Sequence, residues 1–251
     1  MRDSDDIVTP QSFIRYLRDV LKLRPSEIRL PSRGAIVFAA DDFETLRRGI
    51  HGKRASWSQS QCVGLAGRRR VFVARSPIGG PAAAIVMEEM AARGVRDFLT
   101  FGACGSLLTD MHIGSIVVPT FAYPGEGTSR HYGAPRRPQP DSILLAAIRA
   151  ALDRQRTPYR AGGVWTTDAP YREPRRRARA LAKQGVVGVE MEAAALYAVA
   201  RHRGLRAASL MVVSDELGGE GWNPGFWSPP FQRAKRGAID AIADALARPW
   251  P

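Results

Sequence analysis

The stretch from Gly185 to Leu217 constrains the fold of this chain more than any other. It reads GVVGVEMEAAALYAVARHRGLRAASLMVVSDEL. Residues 193–200 are small and apolar, which favours a helix, and Gly204 is the kind of residue that commonly ends one. The apolar run 207–213 then predicts a buried strand. A helix that leads directly into a buried strand is typical of an α/β fold.

Carboxyl groups stand at both ends of this unit. Glu190 and Glu192 lie where the helix begins, so free backbone N–H groups and the helix dipole keep a carboxylate there ionised and fixed in direction. Such a carboxylate suits a vicinal diol, for example ribose O2′ and O3′. Asp215 follows the strand at the edge where open α/β sheets bind ligands, and partial desolvation there lets a carboxyl hold its proton as a general acid. The alternative is an ordinary helix N-terminus and an ordinary turn residue.

The motifs EMEAAALYAVA and VVSDEL resemble the nucleoside phosphorylase-I family in order and spacing. That family contains purine nucleoside phosphorylases, uridine phosphorylases and methylthioadenosine/adenosylhomocysteine nucleosidases. The resemblance implies a single-domain three-layer α/β/α sandwich with a mixed central sheet over residues 35–251, after an N-terminal helical extension, 1–34. It also implies that Met191 and Glu192 contact the ribose, that Glu190 lines the pocket, and that Asp215, preceded by Ser214, protonates a purine-like base at N7.

The resemblance extends to four other segments of the chain. Gly79 and Gly80 precede a predicted helix and let backbone amides approach a sugar or an anion. The family has a turn under the ribose and phosphate where this sequence has Gly102, Ala103, Cys104 and Gly105. Asp168 matches the base-recognition loop, in which either Trp165 or Tyr171 could offer a π-face to the base. Arg130 or His131 could contact the 5′ end or the base, although a solvated loop is the alternative for both.

The acceptor of the ribosyl group is the open question. Phosphorylases of the family carry a Gly-Asp-Pro-x-Arg-like loop where this chain has 39–43, and Thr100 and Ala103 replace a phosphate-binding arginine and hydroxyl. Arg54 is a candidate for a third arginine, donated by a neighbouring subunit. Asp41 and Asp42 would repel phosphate and could supply a base for water, or could simply form an acidic helix start. We therefore favour a nucleosidase, with a phosphorylase or a non-catalytic nucleoside-binding protein as alternatives.

The amino-acid composition limits which kinds of binding partner are expected. The formal net charge of +13 comes almost entirely from arginine. Neither Arg68–Arg70 nor Arg175–Arg177 is interleaved with aromatic residues, so nucleic acid is not favoured, although such a surface also attracts small anions. We expect no metal, no cofactor beyond phosphate as a possible co-substrate, no membrane span, a cytoplasmic location, and a homodimer or trimer of dimers. The Gly- and Pro-rich segment 218–230 could cover the base, with Trp227 near the place of a family arginine.

Overall fold

The computed structural model describes residues 6–250. Residues 1–5 of the predicted extension 1–34 and residue 251 of the predicted domain 35–251 lie outside the described part. The helices α1 to α9 are Pro10–Asp19, Pro25–Ile28, Ala40–Gly49, Gly80–Ala92, Thr128–His131, Ser142–Arg154, Arg175–Ala182, Ala193–Arg203 and Pro229–Ala247. The strands β1 to β10 are Arg33–Val37, Lys53–Ala55, Ser58–Ala66, Arg69–Arg75, Asp97–Ser106, Ile116–Gly125, Tyr159–Thr167, Val186–Glu190, Arg206–Glu216 and Asn223–Pro224.

The strands form one mixed sheet. Its ten strands run in the order β10-β9-β6-β7-β8-β5-β1-β4-β3-β2. Strand β1 is parallel to β4 and β5, and β5 is parallel to β9, whereas β3 is antiparallel to β4 and β6 is antiparallel to β9. Helices cover both faces, so the predicted α/β/α sandwich with a mixed central sheet is confirmed.

Part of the sheet closes on itself. Strand β5 pairs with β8 on one side and, through an additional pairing, with β9. Since β9 pairs with β6, β6 with β7 and β7 with β8, these strands form a ring. The ring brings residues 97–106, 186–190 and 206–216 together although they are far apart in the chain.

Two apolar layers fill the space between sheet and helices. Helices α3, α6 and α9 pack on one face through residues such as Phe43, Ile148 and Ile242. Helices α4 and α8 pack on the other face, where Met87 and Leu196 are buried. Helix α8 is buried from Ala193 to Ala200, and small side chains allow the close approach of its neighbours. Within residues 6–250, no helix combines the length and apolarity needed to cross a membrane.

Several local predictions are confirmed. Gly204 follows α8 in the left-handed region with φ 64°, and the predicted strand 207–213 lies within β9. One prediction is wrong: residues 102–105 do not form a turn but continue β5, because β9 and β8 both pair with them. Strands β2 and β3, helix α7 and strand β8 have no counterpart among the predicted elements.

Candidate active site

Glu192 and Gly79 form the first direct contact between distant predicted residues. The Gly79 N–H donates to Glu192 Oε1 at 2.6 Å, which joins the start of α4 to the start of α8. Gly79 has φ 107°, a conformation that favours glycine, and this turns its N–H toward the carboxylate. Glu192 is the N-cap residue of α8, and the backbone N–H of Met191 also acts on its carboxyl. A carboxyl held by so few donors can still accept a hydrogen bond from a hydroxyl group of a ligand.

Glu190 has a different position from the one that the resemblance implies. Its Oε2 accepts from the backbone N–H groups of Glu192 and Ala193, both at 2.7 Å. Its Oε1 accepts a hydrogen bond from the Thr166 hydroxyl. The oxygen of that hydroxyl in turn accepts one from the N–H of Ala194 at 2.9 Å. With both oxygens used, Glu190 caps α8 and fixes the direction of Glu192. It does not offer a free oxygen to the pocket.

Burial changes the acid–base properties of this pair. Desolvation raises the pKa of Glu190, although its three hydrogen bonds oppose the change. Desolvation also raises the pKa of Glu192, and the charge of Glu190 adds to it. Because three donors stabilise the charged form of Glu190 and two stabilise that of Glu192, a shared proton is better placed on Glu192. A protonated Glu192 can donate to one ribose oxygen and accept from another.

Asp215 stands at the end of β9, held at both oxygens. The Ser214 hydroxyl donates to Oδ1 at 2.6 Å, and the indole N–H of Trp222 donates to Oδ2 at 2.8 Å. Gly105 lies directly below, since a Cβ there would be 3.2 Å from Asp215 Oδ2 and 2.3 Å from a methyl group of Leu217. The absence of a side chain at Gly105 therefore makes room for the acid.

A bulge at Ser214 in β9 shifts the register of β9 against β5 next to Asp215. The register shifts between Cys104 and Gly105, so that Gly105 pairs with Asp215 in β9 and with Val189 in β8. Glu190 follows Val189 directly. Cys104 is buried there, and its thiol pKa is raised by desolvation and by the charges of Glu190 and Asp215. A neutral, buried thiol packs against the site and offers no thiolate.

Glu173 is a carboxyl near the acid to which the sequence prediction assigned no role. It lies between β7 and α7 and is half-buried. Burial and the charge of Asp215 raise its pKa to about 7. The Arg175 guanidinium donates to the carbonyl of Glu220, which ties the start of α7 to the segment that carries Trp222. A half-buried carboxyl with a raised pKa near another carboxyl is a common signal of a functional site, but it depends on the tertiary fold and not on a local sequence pattern.

The aromatic residues differ from expectation. Trp165 is 1% exposed within the core cluster of β7, β8 and α7, and the Arg177 guanidinium lies 4.8 Å from its ring centroid, so it cannot stack on a base. Tyr171 is 98% exposed and Trp227 is 88% exposed. The residue that contacts the acid is Trp222, five positions before the predicted Trp227. The prediction for Trp165 is therefore wrong, because the ring of strands buries that face.

The loop after β6 meets the base-recognition loop. Asp168 Oδ2 accepts the N–H of Gly127 at 3.0 Å, so this carboxylate joins two loops. Arg130 and His131 lie on the short helix α5 and are exposed. Glu126, which the sequence analysis passed over, is buried and accepts the Ser129 N–H at 3.0 Å. The same oxygen lies 3.5 Å from where a Cβ of Gly80 would stand, an ordinary contact distance. The Cβ of Ala195 would lie only 3.1 Å away, so glycine at position 80 allows α4 and α8 to pack closely.

Asp41 and Asp42 are both bound by one cation. Lys235 of α9 lies 2.6 Å from Asp41 Oδ2 and 2.8 Å from Asp42 Oδ1. Burial raises the pKa of Asp41, but the bond to Lys235 outweighs it, so that the pKa of Asp41 is lowered. The pKa of Asp42 is raised, because burial outweighs the effect of Lys235 there. The sequence pattern gave no sign of this lysine, because α9 is remote in the chain and otherwise follows a simple packing pattern.

The residues that stand where the family pattern has phosphate ligands, and the arginines nearby, can be located in the fold. Thr100 is buried and donates to Ser209 at 2.7 Å across β5 and β9, so it faces the sheet interior. Phe38 lies over Gly102, 3.0 Å from where a Cβ would stand. Arg54 is bound to Glu44 and to the carbonyl of Gln59 within the same chain. Arg75 ends β4 opposite Val37, the last residue of β1, and is exposed.

No group of three or more His, Cys, Asp or Glu residues in the part 6–250 is placed to hold a metal ion. The residues that meet at the ring are carboxyls, backbone N–H groups and small side chains. Such a set is chemically able to bind a sugar diol and to transfer a proton, as an enzyme acting on an N-ribosyl bond requires.

The comparisons with known proteins agree with this class. The family described as Phosphorylase superfamily matches residues 34–245. A DeoD-type purine nucleoside phosphorylase of Myxococcus xanthus is 34% identical over 81% of this chain and 87% of its own length. A guanosine phosphorylase of Halorubrum lacusprofundi is 37% identical over 56% of this chain, a stretch that spans only 58% of that protein.

The fold has a close counterpart among solved structures. Purine nucleoside phosphorylase from Toxoplasma gondii, solved in complex with immucillin-H, superposes with a TM-score of 0.79 at 16% identity, covering 98% of this chain and 97% of its own. The chain belongs to the phosphorylase superfamily. Membership confirms the predicted family and the predicted class, an enzyme that acts on the N-ribosyl bond of nucleosides.

Proposed function

We propose that this chain is a nucleoside phosphorylase that cleaves the N-ribosyl bond of a purine nucleoside with phosphate as acceptor. One observation carries the proposal: Gly105 pairs with both Asp215 and Val189, which puts the acid beside the ribose carboxylates. The names of the relatives from Myxococcus and Halorubrum support the same reaction.

Each residue then has a chemical role. Glu192, held by Gly79, binds the ribose hydroxyls, and Glu190 keeps Glu192 in place. Asp215 donates a proton to N7 of the base as the bond between C1′ and N9 breaks. A phosphate oxygen forms the new bond to C1′, so the products are the free base and ribose 1-phosphate. Protonation of the leaving base and fixed orientation of the ribose lower the barrier.

Phosphate is favoured over water by the state of the two aspartates. The preference for water depended on Asp41 or Asp42 as a base, but both carboxylates are bound by Lys235. The bond to Lys235 lowers the pKa of Asp41 and so weakens it as a base, and the ammonium group balances negative charge that would otherwise repel phosphate. The relatives are named phosphorylases, and none of those described above is named a nucleosidase. A phosphorylase is therefore better supported than the nucleosidase that the sequence analysis favours.

Several features of this assignment remain predictions. Ala39, Thr100 and Ala103 still lack the phosphate ligands of the family pattern, so a phosphorylase must bind phosphate through other groups. Exposed Arg75 and the backbone N–H groups at the start of α3 are the candidates at that edge. The cytoplasmic location and the homodimer or trimer of dimers are also predictions.

Replacement of the acid tests the proposed function. Asp215→Asn keeps the shape of the side chain and removes its proton, so we expect base release from purine nucleosides in phosphate buffer to fall about 10²- to 10⁴-fold. The matched control is Asp110→Asn, which removes a surface carboxylate that pairs with Arg160. Unchanged base release by Asp215→Asn, measured by chromatography, contradicts the mechanism.

A further inference from the structure

Four neighbouring strands begin with charged residues that face the same side of the sheet. Strands β4, β1, β5 and β9 are adjacent and parallel, and their first residues are Arg69, Arg33, Asp97 and Arg206. Two positions further along, these strands bury apolar residues in the layer under α9, namely Val71, Ala35, Leu99 and Ala208. Because side chains alternate along a strand, the charged row formed by residues 69, 33, 97 and 206 also faces α9.

The segment after α9 contacts the charged row through Trp250. The Arg33 Cζ atom lies 3.4 Å from the centroid of the indole ring, and the Arg206 Cζ atom lies 5.5 Å from it. Arg33 also donates to the carbonyl of Arg248 at 2.7 Å, and Trp250 donates to the carbonyl of Ala245 at 2.8 Å. These contacts fix the direction of the two guanidinium groups at the end of α9.

Arg69 extends the charged row on the side of β4. The turn that precedes it lies against the end of α9, because a Cβ on Gly67 would stand 3.5 Å from the Cβ of Ala247. The Nε atom of Arg69 is buried and has no hydrogen-bond partner among residues 6–250. A buried donor without an acceptor is unfavourable, and an anion that supplies the acceptor removes that penalty.

The charged row has more positive than negative charge. Its carboxylate, Asp97, is buried and forms an ion pair with Arg206. Burial lowers the pKa of Arg33 and the charge of Arg69 lowers it further, although the charge of Asp97 opposes both. Within residues 6–250, Arg33 and Arg69 form no ion pair with a carboxylate, so two guanidinium groups on neighbouring strands are left without a counter-ion.

We propose that Arg69 and Arg33, with Arg206 beside them, bind the phosphate groups of a small polyphosphate anion such as pyrophosphate. A guanidinium group offers a planar fork of donors that matches phosphate oxygens. Neighbouring strands lie about 4.8 Å apart, so side chains from β4 and β1 can contact linked phosphate groups at the same time. Arg33 lies against the indole ring of Trp250, and nucleic acid, which needs open aromatic faces for its bases, fits this surface less well.

This anion site is separate from the site of the proposed reaction. Asp97 begins β5, whereas Gly105, which lies against Asp215, is near the other end of the same strand. At about 3.3 Å per residue, a ten-residue strand is roughly 30 Å long. An anion at the charged row is therefore not the acceptor of the ribosyl group, and the inference holds whether or not the chain is a phosphorylase.

Isothermal titration calorimetry with inorganic pyrophosphate at low ionic strength tests the inference. Arg69→Gln removes one fork of charged hydrogen bonds, so we expect the dissociation constant to rise about 10- to 100-fold. The matched control is Arg70→Gln, which removes the same charge from an exposed side chain on the opposite face of β4 and should change the dissociation constant far less. Equal weakening in the two variants, or no binding by the unmodified protein, overturns the proposal.

Two further measurements separate this site from the reaction and from a folding defect. Arg69→Gln should leave kcat and the KM for phosphate unchanged, whereas a raised KM alongside weaker pyrophosphate binding would place the anion at the reaction site and contradict the proposal. Arg69→Lys keeps the charge but loses the fork, so we expect an intermediate dissociation constant. Pyrophosphate should raise the midpoint temperature of unfolding of Arg70→Gln more than that of Arg69→Gln, and equal increases would also contradict the proposal.

Discussion

The residues with the strongest constraints are the two buried glutamates at the start of α8. Glu190 uses both oxygens in the network with Thr166 and the helix N–H groups, whereas Glu192 accepts the N–H of Gly79. We therefore expect Glu192, rather than Glu190, to change partners when a ribose binds. The sequence motif alone cannot separate a binding residue from a positioning residue, because that distinction depends on Thr166, which is far away in the chain.

The raised pKa values of these glutamates predict how stability depends on pH. A carboxyl whose pKa is higher in the folded than in the unfolded chain binds more protons when folded, so stability is highest below the unfolded pKa and falls as pH rises through the folded one. We expect the midpoint temperature of thermal unfolding to decrease as the pH is raised from 5 to 8.5. Glu192→Gln should weaken this dependence, whereas Glu220→Gln, an exposed change, should not. An identical dependence in Glu192→Gln contradicts the assignment.

At the scale of elements, a hydrogen bond connects the starts of α4 and α8, so the orientation of the proposed ribose-binding Glu192 depends on the backbone conformation of Gly79. Gly79 donates to Glu192 because its φ is 107°, a value that other residues rarely adopt. Gly79→Ala should cost about 1–3 kcal/mol in backbone strain and raise KM for the nucleoside. Gly49→Ala is the control, since a Cβ there meets no atom within 4 Å. Urea unfolding and steady-state kinetics measure both effects, and an unchanged KM in Gly79→Ala argues against this contact.

The sequence predicts elements well where one periodic pattern dominates. Helix α8 follows from its apolar residues and from Gly204, and the glycine pair 79–80 indicates the start of α4. Strands β2 and β3 alternate polar and apolar residues weakly, and no sequence pattern predicts them. Residues 102–105 are predicted as a turn but continue β5, because pairing with β9 extends the strand through a glycine-rich segment that alone indicates a turn.

At the scale of the whole molecule, closure of the strand ring brings the proposed site residues together. The pairing of β5 with both β8 and β9 is long-range, so no local pattern indicates that Gly105 lies against Asp215. The family resemblance predicted the acid and the ribose carboxylate. It could not predict Lys235 on Asp41 and Asp42, because that ion pair depends on how α9 packs against α3.

The overall charge is compatible with an anionic acceptor. A formal net charge of +13 raises the local concentration of phosphate near the surface, an effect that salt screens. This attraction does not by itself provide a binding site. Whether phosphate is the acceptor therefore depends on groups at the edge formed by β1, β4 and α3.

The most direct test of the central claim is the identity of the sugar product. Guanosine, inosine and adenosine are incubated with the purified protein in buffer with phosphate and in buffer without it, and the base and the sugar are both measured. The account predicts ribose 1-phosphate in equal amount to the free base, and no base release without phosphate. Free ribose formed at the same rate in both buffers contradicts it, and would return Asp41 and Asp42 to the role of the base that activates water.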